Sequence, residues 1–147
     1  PKLASINIPE GVKSIGSYAF AGDLQLSEIA LPQSIETIGK NAFAATGLHS
    51  VTIPEGVSII EYATFYNCKL LSCITLPSTI TYIGDRAFDY CYELKEIHCK
   101  ATTPPAIEMF TLLGGISGRK IYVPQGSVEA YKTAEGWSDF AEQIYGE

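Results

Sequence analysis

Leu48-His49-Ser50-Val51-Thr52-Ile53-Pro54 is followed 23 residues later by Leu71-Ser72-Cys73-Ile74-Thr75-Leu76-Pro77. The same word has already occurred twice, from Leu3 to Pro9 and from Leu26 to Pro32. A second landmark keeps step with it, at Ala19-Phe20, Ala42-Phe43, Thr64-Phe65 and Ala87-Phe88. Between the landmarks fall Val12, Ile35, Val57 and Ile80, and then Ile15, Ile38, Ile60 and Ile83. Of seven apolar slots in each of four units, only Thr64 departs from the rule. A fixed period of this kind is the signature of a solenoid, in which one unit cannot bury its apolar face without a neighbour.

The period converts into shape. In each Leu-x-x-Ile-x-Leu word the apolar spacing drops to two, so Ile6 and Ile8 face one way while Ser5 and Asn7 face the other. The closing proline ends each strand by removing a backbone donor. Stacked units then place short strands side by side in a parallel sheet, about 4.8 Å apart. Gly16, Gly39 and Gly84 mark a turn, with Glu61 at that position in the third unit. If positive φ is needed there, Glu61 implies strain or a different turn. The next four residues, Ser17 to Phe20, predict a single helical or 3₁₀ turn that drops Phe20 into the core. A one-residue deletion between Thr46 and Leu48 is expected to fall in a tolerant loop.

The fifth unit keeps its strand at Ile97-His98-Cys99-Lys100, then diverges through Pro104-Pro105 into a glycine-bearing loop, Gly114 to Gly118. A sixth strand, Ile121-Tyr122-Val123-Pro124, restores the pattern. Ser127 to Lys132 predicts a short amphipathic helix with Ser127 as its N-cap. The expected organisation is a repeat array over 1–124 closed by a cap over 125–147, with further repeats ahead of Pro1.

These words resemble the BspA-like leucine-rich repeats of bacterial surface proteins, and the ending Thr103-Pro104-Pro105, Ile121 to Pro124 and Tyr131 to Phe140 resembles that family's ending. The resemblance implies an α/β-type right-handed leucine-rich-repeat solenoid of 22–23-residue units. It also implies export to the cell surface or secretion, and adhesion to a host or neighbouring-cell protein or glycan. It carries no catalytic residues, and the function expected is non-enzymatic recognition; the alternative is a structural spacer or stalk in a larger exported protein.

Composition narrows the partners. With 16 acidic and 10 basic side chains the net charge is −6, and no basic run exists to displace phosphate counterions, so nucleic acid is not expected. No stretch approaches the roughly 20 apolar residues of a membrane span. A monomer is expected.

Chemistry-bearing residues are few. Cys68 and Cys91 share a column with Asp23 and Thr46, which suits an inward polar ladder at the turn. A disulfide between them is the alternative, although parallel in-register side chains keep their Cβ atoms farther apart than a bridge prefers. Cys99 takes an inward slot, and Cys73 an outward one. His49 and His98 lie two repeats apart and neither has a Cys or His partner at ligand spacing, so no metal and no cofactor is expected. Strand alternation points His98 and Cys99 to opposite faces, against a catalytic pair. The candidate binding face is the outward strand column, carried by Asn7, Glu28, Thr52, Thr75, Glu96, His98 and Tyr122. A rival surface is the tyrosine ridge on the turn side, Tyr18, Tyr62, Tyr66, Tyr90 and Tyr92.

Overall fold

The computed structural model describes residues 4–112 and 116–147. Short parallel strands alternate between two faces of a coiled stack. One face carries β1 (Ser5–Asn7), β3 (Glu28–Ala30), β5 (Ser50–Thr52), β7 (Cys73–Leu76), β9 (Glu96–Cys99) and β11 (Lys120–Val123). The other carries two-residue strands: β2 (Ser14–Ile15), β4 (Thr37–Ile38), β6 (Ile59–Ile60), β8 (Tyr82–Ile83) and β10 (Ala106–Ile107). Every pairing runs unit to unit in register, as in Ser50 with Cys73, Cys73 with Glu96, and Glu96 with Lys120. This is a leucine-rich-repeat solenoid.

The core is a set of like-on-like columns. Phe20, Phe43, Phe65 and Phe88 stack with centroids 5.4, 5.4 and 5.7 Å apart and planes tilted only 8°. Thr64, the one polar residue in an apolar slot, is fully buried and donates its hydroxyl to Glu61 O at 2.8 Å. Its polarity is satisfied locally, so the slot tolerates it.

The stretch before each Phe is not a helical turn. Ala19, Ala21 and Asp23 donate their amides to the carbonyls of Gly16, Tyr18 and Phe20, giving overlapping β-turns. The alternate amides cross to the next coil: Tyr18 to Lys40 O, Phe20 to Ala42 O and Gly22 to Ala44 O, at 2.8–2.9 Å. A helix would use every amide within its own coil; this arrangement leaves each second one to weld neighbouring coils. Left-handed residues fall two places after the glycine column, at Tyr18, Asn41, Ala63 and Arg86 with φ of 54–61°, and again four places further on, at Gly22, Ala45, Asn67 and Tyr90. Gly39 and Gly84 serve close approach instead, since a Cβ on Gly84 would lie 2.8 Å from the Glu61 carbonyl carbon and the Tyr62 amide nitrogen. Glu61 is likewise outside the left-handed region, so the anticipated strain at that position does not arise.

The shortened connector after Phe43 is no exposed loop. Thr46, Gly47 and Leu48 are buried, and a Cβ on Gly47 would collide with Leu24 O. The deletion is accommodated because glycine lets two coils touch.

The fifth unit is more regular than its sequence. β10 pairs with β8, Thr111 O accepts the Phe88 amide, and Leu112 is buried at the next position, in step with the Phe column. Of the glycine loop that follows, Gly114 and Gly115 lie outside the described residues. Helix α1 (Val128–Thr133) packs Tyr131 edge-on against Trp137, centroids 5.0 Å apart. Both rings are buried and anchored: Tyr131 Oη donates to Ala101 O at 2.7 Å and Trp137 Nε1 to Pro105 O at 2.8 Å. Ser127 precedes α1 but makes no side-chain cap. A 3₁₀ turn at Gln125–Ser127 runs directly into the helix, so Ser127 lacks the extended backbone from which a capping hydroxyl reaches back. The chain then returns as β12 (Ile144–Gly146), parallel to β11.

Candidate functional site

The outward strand column is laid out by register alone. Ser5 lies beside Glu28 and Asn7 beside Ala30 on the first strand pair. Thr52 pairs with Thr75, Thr75 with His98, and His98 with Tyr122 on the five-stranded sheet β5-β7-β9-β11-β12. Up to Thr52 the column is small, exposed and polar or alanine. From Thr75 onward it changes character. The candidates Thr75, Glu96, His98 and Tyr122 come together there, whereas Asn7 and Glu28 lie at the far end of the stack.

His98 organises the dense end. Its ring stacks on Tyr122 at 4.8 Å and 18°, and Tyr122 leans on Tyr145 at 6.2 Å. Lys120 Nζ lies over the Tyr145 ring, 5.9 Å from its centroid. His98 Nδ1 is 3.0 and 3.1 Å from the two Glu147 carboxylate oxygens, and Nε2 is 3.3 Å from Glu96 Oε2. Partial burial works against an imidazolium, but the hydrogen bonds to Glu147 and Glu96 outweigh it and raise the His98 pKa. Cys73 completes the cluster: its Sγ, a Glu96 oxygen and a His98 ring nitrogen all lie within 4.8 Å of one another. Burial and the Glu96 and Glu147 charges push the Cys73 thiol up, so it is held as a thiol and not as a low-pKa nucleophile.

Three of these neighbours escape a reading of spacing along the chain. Cys73 reaches His98 through strand pairing, not through a short motif. Tyr145 arrives on β12 and Glu147 directly after it, in a stretch that reads from sequence as part of the cap. A signal existed: Ile144 follows Ile121 by 23 residues, the repeat period itself.

The other cysteines are structural. All four are free thiols, with Cys68, Cys91 and Cys99 buried. Cys68 Sγ donates to Phe43 O at 3.0 Å and Cys91 Sγ to Phe65 O at 3.1 Å, while Thr46 Oγ1 also donates to Phe43 O. This is the inward ladder expected of that column. The hydrogen bond to Cys68 and burial push the Cys91 thiol up. Cys99 faces inward, opposite to His98, and receives a hydrogen bond from Tyr131.

On the turn side Tyr66, Tyr90 and Tyr92 pack edge to face at 5.3 and 6.0 Å, which makes them partners of one another. A separate apolar depression of about 560 Å³ is lined by Leu24, Ala45, Gly47, Lys69 and Leu70 among others. No described helix is long and apolar enough to cross a membrane.

The model of the BspA type leucine rich repeat region matches residues 2–105 as six copies. The chain belongs to this family. Among solved structures, a leucine rich cell surface protein from Faecalibacterium prausnitzii is similar at 27% identity and a TM-score of 0.51, over 67% of this chain and 32% of that one. The pneumococcal vaccine antigen PcpA shares the fold over 99% of this chain and 40% of its own, at 22% identity and a TM-score of 0.60. A leucine-rich repeat protein from Bacteroides ovatus aligns at 22% identity and a TM-score of 0.42, over 83% of this chain and 49% of that one. The BspA-type chain thus spans about a third to a half of the length of the structures it resembles. No curated protein matches it.

Proposed function

We propose that this BspA-type segment is a non-enzymatic recognition module of an exported or cell-surface protein, binding an extracellular protein or glycan through the dense end of its strand face. The observation that carries the reading is the ordered cluster of His98, Tyr122 and Tyr145, flanked by Lys120, Glu96 and Glu147. Aromatic faces with a polar edge and a few charges are what recognition surfaces concentrate. The naming of one structural neighbour as a cell surface protein supports the location. In this reading residues 1–124 form the array, 125–147 close it and contribute β12 to the face, and the segment acts as a monomer.

A spacer role is the second reading, favoured by the plain column from Ser5 to Thr52. Binding to a panel of matrix proteins and glycans, measured beside a Thr52→Arg variant and a Tyr122→Arg variant, separates them. Recognition at the dense end predicts loss with Tyr122→Arg and retention with Thr52→Arg. Binding that survives both substitutions moves the site to the tyrosine side, and a folded sample that binds nothing supports the spacer.

A further inference from the structure

We propose that Cys73, Glu96 and His98 form a binding site for a zinc-class divalent cation on the strand face, with Glu147 orienting the His98 ring. The reading of this face as a recognition surface is not needed for it. The trio is the single group of its kind among the described residues, and its three donor atoms converge within 4.8 Å. Parallel register creates it: Cys73 lies directly beside Glu96, and His98, two residues on, presents its ring to the same face.

The separations suit a tetrahedral ion. Metal–nitrogen and metal–oxygen bonds near 2.1 Å at a tetrahedral angle put the two donors about 3.4 Å apart. His98 Nε2 and Glu96 Oε2 stand 3.3 Å apart. A thiolate bonded at about 2.3 Å would sit roughly 3.6 Å from either donor, inside the 4.8 Å that bounds the three donor atoms.

The hydrogen bonding around His98 leaves a place for a cation. A neutral imidazole has one N–H, and Glu147 faces Nδ1 at 3.0 Å. With that proton on Nδ1, the Nε2 lone pair points at a second carboxylate, Glu96, so two acceptors confront each other. Either a second proton on Nε2 or an ion between Nε2 and Glu96 resolves the confrontation, so proton and ion compete for the position. The Glu147–His98 pair then becomes the carboxylate–histidine–metal arrangement that orients liganding imidazoles. Thiolate with imidazole selects zinc-class ions over calcium or magnesium. On binding, the Cys73 thiol releases its proton to solvent, as does Nε2 where His98 is the imidazolium; thiolate and Glu96 carboxylate balance the two positive charges. Three protein donors leave the fourth position to water.

The test uses the whole chain, reduced and stripped with chelator, titrated with cobalt(II). One equivalent is expected to give tetrahedral ligand-field absorption with a thiolate-to-cobalt charge-transfer band, displaced by equimolar zinc. Cys73→Ser should remove the band, Glu147→Gln should weaken binding by about 10–100-fold, and His49→Gln should change neither. Circular dichroism verifies that each variant is folded. Should Cys73→Ser not fold, zinc protection of Cys73 against alkylation, read by mass spectrometry on the unaltered chain, replaces it. Absence of the band, its persistence in Cys73→Ser, or no protection of Cys73 overturns the proposal.

Discussion

The His98 imidazole lies on the Tyr122 ring with centroids 4.8 Å apart, because β9 and β11 pair in parallel with His98 directly beside Tyr122. The same like-on-like logic builds the interior, where an in-register stack turns each column of the sequence into a physical column.

The phenylalanine ladder is the first place to test this. Phe65 is fully buried between Phe43 and Phe88, so Phe65→Ala should cost about 3–5 kcal/mol. Phe20, only partly buried, has one such neighbour, and Phe20→Ala should cost less. Chemical denaturation of both variants reads the difference; equal losses would mean that the ladder contributes little beyond local packing.

Gly47→Ala should be destabilising by about 1–3 kcal/mol, since its new Cβ meets the Leu24 carbonyl and neither coil can withdraw without breaking amide bonds across the stack. Gly126→Ala, where nothing lies within 4 Å, should be close to neutral. Paired thermal melts provide the comparison.

Tyr131 links stability to pH. Burial and the neighbouring Cys99 raise its pKa well above the ordinary tyrosine value of about 10. A raised folded pKa contributes stability that is complete below the unfolded value and is lost as pH climbs past it. Unfolding free energy should therefore fall above about pH 10, and Tyr131→Phe should flatten that fall. At neutral pH the same variant should cost about 1–3 kcal/mol, because Ala101 O is left buried without its donor. Denaturation series at pH 7 and above pH 10 measure both effects.

Thiol reactivity should sort the cysteines by burial. Cys73 is half-buried while Cys68, Cys91 and Cys99 are buried, so a disulfide reagent under native, metal-free conditions should modify one thiol first and three only on unfolding. In Cys73→Ser the early phase should vanish. Four thiols reacting together would show that the stack opens readily.

Much of this was legible in the residues. Register follows from the prolines and phenylalanines, and the inward ladder of Thr46, Cys68 and Cys91 follows from one shared column. Two local expectations failed because they weighed one unit at a time. Ser17 to Phe20 was expected to form a helical turn by local propensity, but the neighbouring coil captures alternate amides. The connector at Gly47 reads as a loop because loops tolerate deletions, yet its length is set by contact with Leu24.

What the sequence alone determined is periodic: fold, face and core, each written several times over, so that one irregular unit does not obscure the rest. What only the tertiary structure decided lies outside the four repeated words. Leu112 in step with the phenylalanine column, β12 on the edge of the sheet, and the meeting of Cys73, Glu96, His98 and Glu147 each occur once. Their partners lie from 23 positions apart in the chain, at Ile121 with Ile144, to 74, at Cys73 with Glu147. No local pattern marks such pairs; they are brought together by stacking, which converts sequence distance into the few ångströms between adjacent strands.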